Sequence, residues 1–117
     1  MSGWVDVGSL ADLEAAGRLV ARIDGRELGV VLDRETGGVH GIRNRCPHHG
    51  APLCHGSVRR RSVGEPGRYA LGERRVLRCP WHGWEFDLAT GLCADDPAQR
   101  AAVYPAEIAD GRVRVQI

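Results

Sequence analysis

The chain has 117 residues, a formal net charge of +1, 43% hydrophobic residues and four cysteines. A single domain of this size buries about two-thirds of the surface its unfolded chain exposes, so a core is possible without disulfides. A charge this close to zero argues against a whole-molecule attraction to nucleic acid or anionic membrane, and no apolar run approaches the roughly 20 residues of a membrane helix.

The first residues lack the basic region and apolar run of a secretory signal, so a cytoplasmic protein is the expectation. In that compartment four cysteines point to metal or redox chemistry more than to a disulfide framework. Ser9, Asp12 three places on and the closing Gly17 predict one short helical turn at most. Arg18 to Ile23 and Glu27 to Leu32 are rich in Val, Leu and Ile, and Asp24-Gly25 between them is a hairpin signal. Gly37-Gly38 makes a second turn, after which the short strand Val39 to Arg43 leads to Cys46.

Gly50, Pro52 and Gly56 keep the next stretch non-helical. From Ser57 to Arg75 the sequence is polar and turn-rich, with Arg59-Arg60-Arg61, Gly64, Pro66, Gly67 and Gly72, and shows no sustained period. This reads as an inserted, Arg-rich loop over about 57–75. Val76 to Arg78 is strand-like and leads into Cys79. Trp84, Phe86 and Leu88 then alternate with Glu85 and Asp87, as in a strand with one buried face. Thr90-Gly91 turns the chain and Asp95 to Arg100 is a loop. Tyr104 to Ile108 and Arg112 to Ile117 predict a last hairpin about Asp110-Gly111. Several short strands spaced by turns predict an all-β fold of small antiparallel sheets, as a single domain over 1–117.

Two stretches carry the chemistry, near 46–56 and 79–84. The first opens Cys46-Pro47-His48 and the second Cys79-Pro80-Trp81-His82, so each offers one thiolate and one imidazole. Zinc could take all four tetrahedrally, but its sites normally pair Cys with Cys in one knuckle and His with His on a helix. Here each stretch mixes the types and neither lies on a predicted helix, which suits a binuclear cluster better.

These motifs resemble the Rieske family: Cys46-Pro-His48 with Gly50-Ala51-Pro52-Leu53, and Cys79-Pro-Trp-His82-Gly83-Trp84-Glu85-Phe86-Asp87 with Thr90-Gly91. The resemblance spans nearly the whole chain. It implies a Rieske-type fold with two cluster-binding loops. It also implies a [2Fe–2S] cluster with Cys46 and Cys79 on the buried iron, His48 and His82 on the outer one. Histidine ligation raises the potential above that of an all-cysteine cluster.

The resemblance also implies a sub-type. Respiratory Rieske proteins carry an extra cysteine in each loop, forming a disulfide, where this chain has Ala51 and Trp81. They place Ser and Tyr hydroxyls near the cluster sulfurs, where this chain has Trp84 and Phe86. Fewer donors leave the reduced state less stabilised, so a potential of roughly −150 mV is expected. The sequence therefore looks like the soluble ferredoxins and oxygenase domains of the family.

Other residues have plainer readings. His49 is a loop residue beside the ligand His48, and His40 and His55 are ordinary strand or loop histidines. Cys54 and Cys93 lie outside the ligand motif and read as half-buried small apolar residues. Trp84 reads as core, whereas Trp81 either shields the cluster or reaches the surface at an electron-exit contact. Asp95-Asp96-Pro97 resembles the third, proline-containing loop that covers the cluster, or is an ordinary acidic turn. The Arg59 to Arg61 run either docks an acidic partner or is solvated.

The expected function is one-electron carriage, as a Rieske-type ferredoxin between a flavin-dependent reductase and a terminal oxygenase or similar enzyme. No independent catalytic site is expected. An oxygenase would need a second iron with two His and a carboxylate, and only His40, His49 and His55 remain, without a suitable spacing. The alternatives are a subunit of a larger reductase, similar to the nitrite reductase small subunit, and a structural zinc module.

Overall fold

In the computed structural model, described for residues 3–47, 50–63, 70–81, 83–96 and 98–117, the chain forms ten short strands and little helix. Residues 62, 63 and 70–73 are described through their backbone. β1 (Trp4–Ser9) runs into the seven-residue helix α1 (Leu10–Ala16). The Ser9 side chain caps that helix by accepting from the Asp12 N–H at 3.0 Å. Gly17 ends it in the left-handed region at φ 83°, its N–H donating to the Leu13 carbonyl.

β2 (Arg18–Ile23) and β3 (Arg26–Leu32) form a hairpin closed by Asp24 and Gly25 at φ 50° and 78°. Two positive φ values in succession make a turn whose twist matches the strands it joins. β4 (Val39–Arg43) pairs on the far side of β3. Over its described residues, 57–63 and 70–75, the predicted Arg-rich loop is strand. β5 (Ser57–Val63) and β6 (Ala70–Arg78) are antiparallel strands, and β6 continues the pairing to β7 (Glu85–Asp87). The expectation failed because Gly, Pro and Arg hid a ladder held by main-chain bonds and cross-strand ion pairs. The tip of this hairpin lies outside the described residues.

The predicted strand Tyr104 to Ile108 is broken at Pro105. β8 (Val103–Tyr104) pairs with β4, whereas β9 (Ala106–Ala109) pairs with β10 (Arg112–Gln116). Proline has no N–H to give to a ladder, and the chain changes sheet at that residue. Three antiparallel sheets result, ordered β1-β10-β9, β2-β3-β4-β8 and β5-β6-β7. The all-β expectation holds.

The β2-β3-β4-β8 sheet has both faces covered. Val30 of β3 packs with Leu13, Val113 and Val115 on one side. Its neighbour Val31 packs on the other with Ile42, Leu53, Leu77, Phe86 and the cysteines. Alternation along an extended strand sends successive side chains to opposite faces, so one strand serves both cores. Each fully buried aliphatic or aromatic side chain contributes about 1.5–3 kcal/mol of transfer free energy. Among the described residues no helix is long and apolar enough to cross a membrane.

Candidate metal centre

Cys46 follows β4 and Cys79 follows β6, and both are buried, at 1% and 3% exposure, in one apolar cluster. The loops they open have the same backbone frame. The Cys46 N–H donates to the Ala51 carbonyl at 2.8 Å, and the Gly50 N–H returns to the Cys46 carbonyl at 2.8 Å. In the second loop the Cys79 N–H donates to the Trp84 carbonyl at 2.7 Å, and the Gly83 N–H returns to the Cys79 carbonyl at 3.1 Å. Each loop thus reverses over the same five-residue step. Gly50 and Gly83 make the reversal at φ 75° and 73°, where a side chain is strained.

An arginine precedes each cysteine, and each lies against the glycine of its own loop. A Cβ at Gly83 would stand 2.8 Å from Arg78 Nη2, and one at Gly50 would stand 3.8 Å from the Arg45 guanidinium. Gly83 therefore supplies close approach as well as a permissive φ, whereas Gly50 leaves room for ordinary contact.

The surroundings fasten the loops to the sheets. Asp95 accepts the Glu85 N–H at 2.9 Å, and the Ala94 N–H donates to the Glu85 carbonyl at 2.8 Å. This ties the Asp95-Asp96 segment to the strand that leaves the second loop; Pro97 lies outside the described residues. Phe86 is fully buried and Trp84 packs on the same core, as expected for Trp84. Trp81 instead stands 56% exposed at the tip of the second loop.

The arginine run has partners within the chain. Arg61 Nη1 donates to Glu85 Oε1 at 2.8 Å, Arg59 lies 3.9 Å from the same carboxylate, and Arg60 lies 3.4 Å from Glu35. Arg74 holds Asp87 at 2.8 Å. The bond that ties the hairpin to the central sheet is deeper. Arg75 grips Asp33, 1% exposed, through Nε–Oδ2 at 2.6 Å and Nη2–Oδ1 at 2.7 Å. Burial pushes the Asp33 carboxyl up, but the Arg75 hydrogen bonds and nearby N–H donors outweigh it and hold it below the usual carboxylate range.

Of the four residues expected to bind the metal, the structure brings Cys46 and Cys79 into one buried cluster. His48 and His82 lie outside the described residues, as does His49. His40 is half-buried on β4, where burial lowers its pKa, and His55 is exposed. Cys54 and Cys93 are more buried than expected, at 1% and 2% exposure, and are not disulfide-linked. Gly29, a close neighbour of Cys54, gave no signal in the sequence beyond being a glycine within a strand.

The donor set fits an iron–sulfur cluster. Two thiols lie in one buried cluster, on loops of one frame whose sequences each add an imidazole. Fold and loops together define a small all-β metal-cluster domain. Residues 3–106 match the Rieske [2Fe-2S] domain, and the chain belongs to that family. The cofactor of the family is a [2Fe–2S] cluster. The chain is 31% identical over 102 residues to oxidoreductase NdmD of Pseudomonas putida, covering 87% of this chain but only 15% of that one. It is 28% identical over 116 residues to the ferredoxin component of the naphthalene 1,2-dioxygenase system of Pseudomonas putida, covering 97% of this chain and 95% of that one. A candidate NADH-dependent nitrite reductase small subunit from Mycobacterium tuberculosis superposes with a TM-score of 0.74 at 26% identity, over 96% of this chain and 92% of that one.

Proposed function

We propose that Cys46, His48, Cys79 and His82 hold the [2Fe–2S] cluster, and that the chain carries single electrons from a flavin-dependent reductase to a terminal oxygenase or similar redox enzyme. The observation that supports this most is the shared hydrogen-bond frame of the two loops, which sets two buried thiols in one apolar cluster. The cluster supplies a one-electron acceptor whose potential is raised by imidazole ligation. The residues of the chain bury the thiolates, fix the loops and shield the site from water. No side chain needs to break a bond. Trp81, next to His82 and exposed, offers an aromatic contact where an electron would leave. A cytoplasmic setting suits the two reduced thiols outside the ligand set, Cys54 and Cys93.

The likeness to the naphthalene dioxygenase ferredoxin component over nearly both full lengths favours a free carrier. The likeness to the nitrite reductase small subunit favours a second reading, as a subunit of a larger reductase. Co-purification separates them, since a subunit remains with its enzyme and a carrier leaves it. Iron, sulfide and zinc analysis with visible spectra tests the cluster itself. Two irons per chain are expected, lost in Cys46→Ser, Cys79→Ser, His48→Ala and His82→Ala. A colourless protein with stoichiometric zinc and no iron after anaerobic reconstitution would sink the reading and leave a structural zinc module.

A further inference from the structure

Beside the first loop lies a polar cleft of about 290 Å³ between the β2–β3 hairpin and the end of β4. Arg22, Arg26, Arg43 and Arg45 line it, with Glu27 the one carboxylate among the lining residues. Glu27 is already engaged, since it accepts from the Asn44 side-chain amide at 3.0 Å. None of the four arginines forms an ion pair with a described carboxylate. Of the other described arginines, Arg59, Arg60, Arg61, Arg74, Arg75, Arg112 and Arg114 do, while Arg18, Arg34, Arg78 and Arg100 do not but do not line this cleft.

The net charge of +1 conceals this polarity. With a formal +3 gathered at the cleft, the remainder of the chain carries −2. Arg22, Arg26 and Arg45 are exposed, and Arg45 immediately precedes buried Cys46 and lies against Gly50. The uncompensated charge therefore stands at the edge of a cluster-binding loop, where a protein docked on it would be close to the redox centre.

We propose that this cleft is the docking surface for an acidic face of a redox-protein partner. The proposal rests on the carrier reading and adds to it the sign and place of the contact. The sequence offered Arg59-Arg60-Arg61 for that role, but each of those guanidiniums already lies within 4.0 Å of a carboxylate of the chain. Guanidiniums that no described carboxylate holds are available to meet carboxylates across an interface. Such charge complementarity acts mainly by speeding encounter and fixing orientation, and is weakened by salt.

The test uses the cluster-loaded protein and the variant R22Q/R26Q, whose two exposed side chains lie on the β2–β3 hairpin, away from the two cysteine loops. Stopped-flow absorbance follows cluster reduction by hydroquinone-state flavodoxin, an acidic protein, and reoxidation of the reduced cluster by basic cytochrome c. One electron passes in each case, with no bond made or broken at the cluster. The flavodoxin rate is expected to fall about tenfold in the variant at low salt and to lose most of its salt dependence. The cytochrome c rate should hold or rise. A flavodoxin rate equal in both proteins, or insensitive to salt in the unmodified one, would overturn the proposal. So would loss of duplex DNA binding in the variant with flavodoxin kinetics unchanged, which would assign the cleft to nucleic acid. If the cluster exchanges electrons with neither protein nor with hexacyanoferrate, the carrier reading fails, and this surface with it.

Discussion

The guanidinium of Arg75 on β6 closes on the carboxylate of Asp33, just past β3, through two hydrogen bonds of 2.6 and 2.7 Å. It joins the sheet that carries the second loop to the sheet that carries the first. Removing one member leaves the other buried with an uncompensated charge, so Arg75→Leu should cost about 3 kcal/mol in urea unfolding.

The same pair sets an acid limit. The Asp33 carboxyl is held below its ordinary range in the folded state, by Arg75 against the push of burial. Its contribution is therefore complete above the unfolded carboxylate pKa of about 3.9, and is lost as pH falls from there through the lowered folded value. Urea midpoints of the parent should drop across that window. Asp33→Asn should start lower and drop less.

Gly50→Ala and Gly83→Ala each force a side chain into the left-handed region, at about 1–2 kcal/mol. Gly83→Ala should be the worse, because its Cβ would also meet Arg78. Iron content after purification and the rate of bleaching on warming report the effect. Equal retention of iron in both variants and the parent would show that the shared loop frame does not govern cluster binding.

Cys54 is an inert thiol at a tight contact. Burial, then the charge of Glu27, pushes its pKa up to about 12. In the folded protein at pH 8 it should escape alkylation by iodoacetamide, and react once urea unfolds the chain. A Cβ on Gly29 would collide with its sulfur and stand 2.9 Å from the Leu19 carbonyl. Gly29→Ala should thus cost about 1–3 kcal/mol. Cys54→Ala should recover part of that, since the sulfur yields and the backbone carbonyl does not.

Phe86 is fully buried and has no hydroxyl to offer. The reduction potential, measured by film voltammetry, should lie at the low end of the range for such centres, roughly −150 mV. Phe86→Tyr should move it upward if the new hydroxyl reaches a cluster sulfur. A parent potential well above zero would contradict the assignment to the low-potential group.

Much of the site and the turns was legible in the chain itself. Asp24-Gly25 and Asp110-Gly111 promised hairpins, and both pairs adopt positive φ, at 50° and 78° and at 52° and 73°. Ser9 and Gly17 marked both ends of a helix, because capping acts within four residues, but its seven residues make about two turns where one at most was expected. The spacing of Cys46 and Cys79 with their neighbouring histidines and glycines carried the family resemblance. All of these are conformational or chemical preferences of residues adjacent in sequence.

What the tertiary structure decided involves groups far apart in the chain. Arg61 meets Glu85 across 24 residues and Arg75 meets Asp33 across 42, so no local pattern could reveal that the arginines of the β5–β6 hairpin have carboxylates of the chain beside them. Pro105 marks a break, but only the packed sheets determine that the two sides of it join different partners. Likewise, Arg22, Arg26, Arg43 and Arg45 are scattered singly along the sequence. Strand pairing brings them to one cleft, and the absence of described ion-pair partners there leaves their charge facing outward. The identity of the metal-binding motif is a local property of the sequence, whereas the surface left charged beside it depends on which ions the fold has already paired.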